Sequence, residues 1–224
     1  MPRRVASKRR RPPTEAVLAR RAERRQHLLD VADRVVQRDG PEASINQIAA
    51  EAGIAKPILY RHFGDKGGLY QALAERYVQS LMARLRDALR EETAPRARLA
   101  ATIDAYLGFV EDHPEMYQFL MHRAVPEQLE AHATVADFIR QVAAEVAVVL
   151  GEELRRAGMD SGGAEPWAHG IVGMVQLAGD WWLRNRSMPR QRLVEYLTTL
   201  LWNGFAGMTD TPASTGSSGV MGVG

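Results

Sequence analysis

The sequence predicts an all-α protein, and three observations carry that prediction. Apolar residues recur at helical spacing along most of the 224 residues; Leu69, Leu73, Tyr77, Leu81, Leu85 and Leu89, for instance, come every four positions. No stretch shows the alternation of a half-buried strand, and no internal repeat stands out. The breaks between periodic segments (Gly40-Pro41, Gly53, His113-Pro114 and Gly158) are of the kinds that end or begin helices. Hydrophobic residues make up 46% of the chain and charged residues 25%, the balance of a protein that buries a core.

Residues 1–14 hold Arg3, Arg4, Lys8, Arg9, Arg10 and Arg11 together with three prolines. They have too little apolar surface to fold alone and read as a disordered basic arm. Such an arm could follow phosphates or enter a minor groove, or simply remain solvated. A first helix is expected from about 14 or 15 to 39, with Leu28, Leu29, Ala32, Val35 and Val36 inward. Ser44 can cap a short second helix, whose apolar face is Ile45, Ile48 and Ala49. Gly53 allows the positive φ that a sharp turn between helices needs. Pro57 suits the first turn of a third helix, where a missing N–H is no loss. In that helix Leu59 and Phe63 face inward. Lys56, Ile58, Tyr60, Arg61 and His62 remain outside. A basic, hydrogen-bonding and partly apolar outer face is what a reader of the major groove requires.

A long fourth helix, from 65 or 66 to about 92, should join this head to a helical body. The body reads as helices over 95–112, 114–123 and 126–157, a glycine-rich loop over 159–165, and two final helices over 165–185 and 189–206. Residues 209–224, rich in Thr, Ser, Gly and Pro, read as a disordered tail. The expected division is therefore a helix-turn-helix unit over 15–70 and a larger helical domain over 71–208.

Charge divides the same way. Residues 1–67 hold 15 Lys/Arg against 8 Asp/Glu, and residues 68–224 hold 14 against 19, so a net +2 conceals a basic head on an acidic body. That asymmetry is expected if only the head meets phosphate. There is no cysteine, which excludes disulfides and thiolate metal sites. No apolar run approaches a membrane span, and the basic N-terminus has no apolar segment behind it, so a soluble cytoplasmic protein is expected. Catalytic motifs are lacking: there is no nucleophile elbow, P-loop or dinucleotide fingerprint. His27, His62, His113, His122, His132 and His169 are scattered without ligand spacing, and Glu111-Asp112 reads as solvated charge at a helix end. Neither enzyme activity nor a metal or cofactor is expected.

The run Lys56-Pro57-Ile58-Leu59-Tyr60-Arg61-His62-Phe63, followed by Asp65-Lys66 and Leu69, resembles the recognition helix and fourth-helix entry of the TetR/AcrR family of transcriptional regulators. The resemblance covers residues 24–77. Three departures stand out. Ala55 replaces a hydroxyl cap, Ile58 replaces a smaller residue and could touch a thymine methyl, and Gly67-Gly68 replaces an acidic residue. The resemblance implies double-stranded DNA as partner, with Ser44, Ala55, Lys56, Pro57, Ile58, Tyr60, Arg61, His62 and Lys66 at the interface and Arg24 and Arg25 assisting.

It also implies a homodimer built by the last two helices. These carry Trp167, Ile171, Met174, Val175, Ala178, Trp181 and Trp182, then Leu193, Val194, Leu197, Leu200, Leu201, Trp202 and Phe205. Gly170, Gly173, Ala178 and Gly179 would allow close approach; an internal helix pair is the alternative. Family members hold a small molecule in the body. Here Tyr106, Phe109, Met116, Tyr117, Phe119, Leu120, Met121, Phe138, Val142, Met174 and Trp181 would form an apolar wall, with His122 and Arg123 as polar groups. The function so implied is a repressor that binds a palindromic operator and is released by a small, mostly apolar effector. The alternatives are a DNA-binding activator or regulator without such an effector, and an enzyme or lipid carrier whose basic head is incidental.

Overall fold

A computed structural model describes residues 15–91, 94–122 and 129–208 of the chain. The expected arm over 1–14, the tail over 209–224, Arg123 and the start of the seventh helix at 126–128 lie outside these residues, as does the side chain of His122. The described residues form α-helices joined by turns, with one short 3-10 turn and no strand.

Helix α1 (Glu15–Asp39) is exposed over residues 15–27, then buries Leu28, Leu29, Ala32, Val35 and Val36. A 3-10 turn at Gly40–Glu42 redirects the chain, with Gly40 at φ 56°. Helix α2 (Ile45–Glu51) begins with a capping box: the Gln47 backbone N–H donates to Ser44 Oγ, and the Ser44 backbone N–H donates to Gln47 Oε1. Gly53, at φ 63°, makes the turn into α3 (Lys56–Phe63), which buries Leu59 and Phe63. No atom lies near where a Gly53 Cβ would sit, so glycine is needed there for conformation, not for space.

Helix α4 (Lys66–Glu91) starts against the end of α3. The Asp65 carboxylate accepts from the Gly68 backbone N–H at 2.8 Å. A Cβ on Gly68 would lie 2.0 Å from the Phe63 carbonyl oxygen. The glycine at 68 is therefore a steric requirement of the α3–α4 junction. Leu69, Leu73, Tyr77, Leu81 and Leu85 then form the buried seam expected from their spacing.

The body follows as α5 (Pro95–Asp112), α6 (Pro114–His122), α7 (Leu129–Arg156), α8 (Ala164–Asn185) and α9 (Arg190–Met208). Gly158 at φ 70° closes α7. One apolar core runs unbroken from Leu28 on α1 through Phe63 and the α4 seam to Phe109, Met116, Phe119 and Phe138. The expected division at 70/71 falls inside α4, within this shared core. A second core joins Ile103 and Leu107 of α5 to Val175 and Trp182 of α8 and Leu193, Leu197 and Leu201 of α9.

Helix α6 is the body's contact with α1 and the 3-10 turn. Phe119 meets Tyr70 edge-on with ring centroids 4.9 Å apart, and Met116 is fully buried beside it. Glu111 and Asp112 are not simply solvated. Glu111 accepts from Arg186 at 3.0 Å and from Arg190 at 2.9 Å, and Asp112 accepts from Arg84 at 2.7 Å. These links fasten α5 to α9 and α4, a role set by tertiary packing that adjacency in sequence hides.

Alanine is ordinarily a better helix former than glycine, by about 1 kcal/mol. Gly68→Ala is nevertheless expected to destabilise the fold, because the new methyl meets a backbone carbonyl that cannot swing away; overpacking of this kind costs about 1–3 kcal/mol. Thermal unfolding should show a lowered midpoint, and a raised one would refute the steric reading.

Candidate nucleic-acid interface and internal cavity

The third helix presents one face to solvent because its other face is fixed. Leu59 and Phe63, four residues apart, are held in the core by α1 and α4. Ala55, Lys56, Pro57, Ile58 and Arg61 are exposed, and Tyr60 and His62 are half-buried. Ile58 is 38% exposed and places an aliphatic group on the outer face of the helix. Ala55 takes the extended N-cap conformation without a side-chain cap bond; Pro57 has no N–H to satisfy, and the Ile58 N–H donates to the Ala55 carbonyl at 2.9 Å. The Ser44 hydroxyl is engaged within its own cap: it donates to Gln47 Oε1 at 2.5 Å while accepting from the Gln47 N–H. A phosphate at Ser44 would need that hydroxyl to turn away from Gln47.

Cations surround the far end of α3. Arg20, Arg21, Arg24 and Arg25 lie on the exposed part of α1, and the Arg25 guanidinium stands 4.8 Å over the Phe63 ring. Lys66 lies over the Tyr70 ring, its Nζ 5.5 Å from the centroid. Burial, followed by the charges of Arg61, Arg24, Arg21 and Arg25, pushes His62 below the usual histidine range.

The body forms a partly open cavity of about 640 Å³ lined mainly by α4, α5, α6, α7 and α8. Its α4 wall runs from Tyr77 to Leu89, about 18 Å at the rise of an α-helix. Of the sequence candidates, Tyr106, Phe109, Tyr117, Leu120, Met121, Phe138 and Val142 lie on the wall. Met116 and Phe119 do not, because α6 turns that face toward α1 and α4. Met174 and Trp181 do not either: α8 turns Ile171, Val172, Val175 and Gln176 to the cavity and those two outward.

Polar groups on the wall are few. Arg98 and Glu153 stand 3.8 Å apart at one end, and Thr102, His113 and Gln176 also take part. The phenols of Tyr106 and Tyr117 interact, and burial pushes both above the usual tyrosine range, so they stay neutral.

The outer sides of α8 and α9 expose a second apolar surface. Leu177 is 70% exposed and Leu200 60%, beside Met174, Trp181 and Tyr196. Nothing stands near Gly170 or Gly173. Gly179 packs inward, where its Cβ would touch Leu107 and Tyr106.

Two short helices with a glycine turn, a basic outer face and a helical body with an apolar cavity can be compared with known proteins. The family model for bacterial regulatory proteins of the tetR family matches residues 28–73, and that for the tetracyclin repressor-like C-terminal domain matches residues 84–217. This chain belongs to the TetR family.

The chain is 35% identical over 195 residues to the uncharacterised HTH-type transcriptional regulator Rv0472c of Mycobacterium tuberculosis, covering 87% of this chain and 82% of that one. It is 32% identical to the HTH-type transcriptional activator FasR of Mycolicibacterium smegmatis, covering 83% and 84% of the two chains. Its fold matches the transcriptional regulator FadR of Bacillus subtilis, solved with stearoyl-CoA, at a TM-score of 0.66 and 17% identity over 80% of this chain and 98% of that one. The chain is thus a DNA-binding transcriptional regulator with a helix-turn-helix. Among the described residues, no helix is long and apolar enough to cross a membrane, and no group of His, Asp and Glu could hold a metal ion.

Sequence reasoning missed the steric demand at Gly68 and the tertiary bonds of Tyr77. Neither leaves a local signal: one depends on where α3 ends, the other on α1.

A phosphate near His62 would favour its protonated form, so DNA binding should take up a proton. Affinity for a specific site is then expected to rise several-fold as pH falls from about 7.5 to 6. His62→Gln should flatten that dependence; an unchanged slope would assign the proton elsewhere.

Proposed function

We propose that this TetR-family regulator binds a palindromic operator as a homodimer, represses from it, and is released by a small, mostly apolar effector. The observation that carries the reading is the apolar cavity whose wall includes α4, the helix that also packs beneath the recognition helix. A cavity of about 640 Å³ is within the range of small-molecule sites, and its form, apolar walls with few polar groups, is theirs as well. The length of the α4 wall suits a long, thin molecule, and FadR is solved with one that carries such a chain. Stearoyl-CoA is therefore the first effector to test.

In this reading Lys56, Ile58 and Tyr60 approach base edges or the adjacent backbone. Tyr60, His62 and Lys66 hold phosphates, with Arg24 and Arg25 alongside and Ser44 joining if its hydroxyl turns. The exposed face of α8 and α9 packs against its copy, which would place two recognition helices at half-sites about one helical turn apart. The effector acts only through a higher affinity for a state whose heads no longer fit adjacent grooves.

Activation is the second reading, favoured by the similarity to FasR, an activator by name. The two readings share the operator and the interface. They differ in where the operator lies relative to the promoter.

Genome-fragment selection with purified protein is expected to recover one palindromic site. Lys66→Ala should weaken binding to every sequence and reduce the salt slope by about one, whereas Tyr60→Ala should cost specific affinity. A change of preferred sequence in Lys66→Ala, or recovery of random fragments alone, would overturn these assignments.

The dimer is tested separately. Leu177→Arg with Leu200→Arg should yield a monomer in sedimentation and lose tight binding to the palindrome. An unchanged mass would move the interface elsewhere.

A further inference from the structure

Tyr77 occupies an unusual position. Its ring lies on the cavity wall, edge-on to two other wall residues, Phe109 at 5.8 Å and His113 at 5.3 Å between ring centroids. Phe109 and His113 are themselves edge-on at 4.8 Å. The opposite end of the same side chain leaves the body. The Tyr77 hydroxyl donates to Asp33 Oδ1 at 3.1 Å and accepts from Gln37 Nε2 at 3.2 Å, both on α1. Gln37 Nε2 also donates to Asp33 Oδ1, at 3.1 Å, which closes a small polar triangle. Arg76 reinforces it, bonding Asp30 at 2.6 Å and standing 3.9 Å from Asp33.

We infer that Tyr77 is a positioning residue that transmits occupancy of the cavity to α1, and through α1 to the recognition helix. The inference rests on the proposal that occupancy of the cavity controls DNA binding, and names the side chain that carries the signal. A molecule pressing on Phe109 or His113 presses on Tyr77. The phenol can yield only by drawing on Asp33 and Gln37 or by breaking from them. Either change reaches α1, whose Arg25 covers Phe63 at the end of α3. Burial and the neighbouring Asp33 carboxylate push the phenol above the usual tyrosine range, so it remains a neutral donor at any physiological pH.

The alternative is a purely structural Tyr77, whose loss weakens the fold without affecting communication. A double-substitution experiment separates the two and needs no identified effector. Val142→Phe adds a ring to the cavity wall, in place of a ligand. Phe109→Trp is a second filler that pushes on Tyr77 directly, and thermal melting verifies that each variant folds. Binding to the selected operator is measured for each filler with Tyr77 intact and with Tyr77→Phe, which keeps the ring and removes the tie.

With Tyr77 intact, filling is expected to weaken operator binding about tenfold or more; with Tyr77→Phe, less than about threefold. Tyr77→Phe alone should stay within about threefold of the unsubstituted protein. Equal losses in both backgrounds would overturn the relay while leaving control by the cavity intact. No loss in either background would overturn control by the cavity, and the relay with it.

Discussion

The apolar seam of α4 is the constraint on which the remaining structure depends. Leu69, Leu73, Tyr77, Leu81 and Leu85 are buried at a four-residue period along one helix of 26 residues, about 39 Å long. The first turns of that seam complete the core under the recognition helix. The later turns complete the core and the cavity wall of the body. Since the head's part and the body's part of this one core are packed on the same side-chain row, neither can be rearranged without moving the row. Packed interiors resist small displacements and respond by switching arrangement. A helix shared in this way packs under the head and lines the cavity of the body at once, the coupling that the proposed effector control would use.

Much of this was legible in the sequence because it is written locally. The Ser44 cap, the Gly53 turn, the Leu59–Phe63 pair and the leucine row of α4 each depend on spacings of one to four residues, and the structure shows each of them. What could not be read depends on which element lies opposite. Met116 and Tyr117 are neighbours on α6, yet one enters the core beneath α1 and the other faces the cavity. Met174 and Val175 divide in the same way on α8, one outward and one inward. Periodicity assigns a residue to a face; it does not say what that face meets. Gly68 gives the same lesson for the backbone. As a sequence feature it is a departure from a family pattern, and only the approach of the Phe63 carbonyl shows why no side chain fits there.

The cavity wall is largely leucine, valine, isoleucine and phenylalanine. An apolar molecule seated there would make dispersion contacts along it without needing a strong polar anchor. The Tyr106 and Tyr117 phenols bond each other within the wall, and Arg98 with Glu153 gives the wall its charge. A ligand with a long apolar body and a polar end would match both features, whereas a compact polar one would leave the apolar wall uncovered.

Helix α8 adds a second route to the one through α4. Ile171, Val172, Val175 and Gln176 line the cavity, while Met174, Leu177 and Trp181 on its other side form the exposed face proposed for the partner copy. A shift of α8 caused from within would therefore be felt at that interface as well. In a dimer, the distance between two heads depends on how each α4 stands relative to its own body and on how the two bodies meet. A molecule in this cavity touches the elements that set both. In the proposed dimer, that arrangement would let a ligand that never approaches DNA change the fit of two recognition helices to one palindrome.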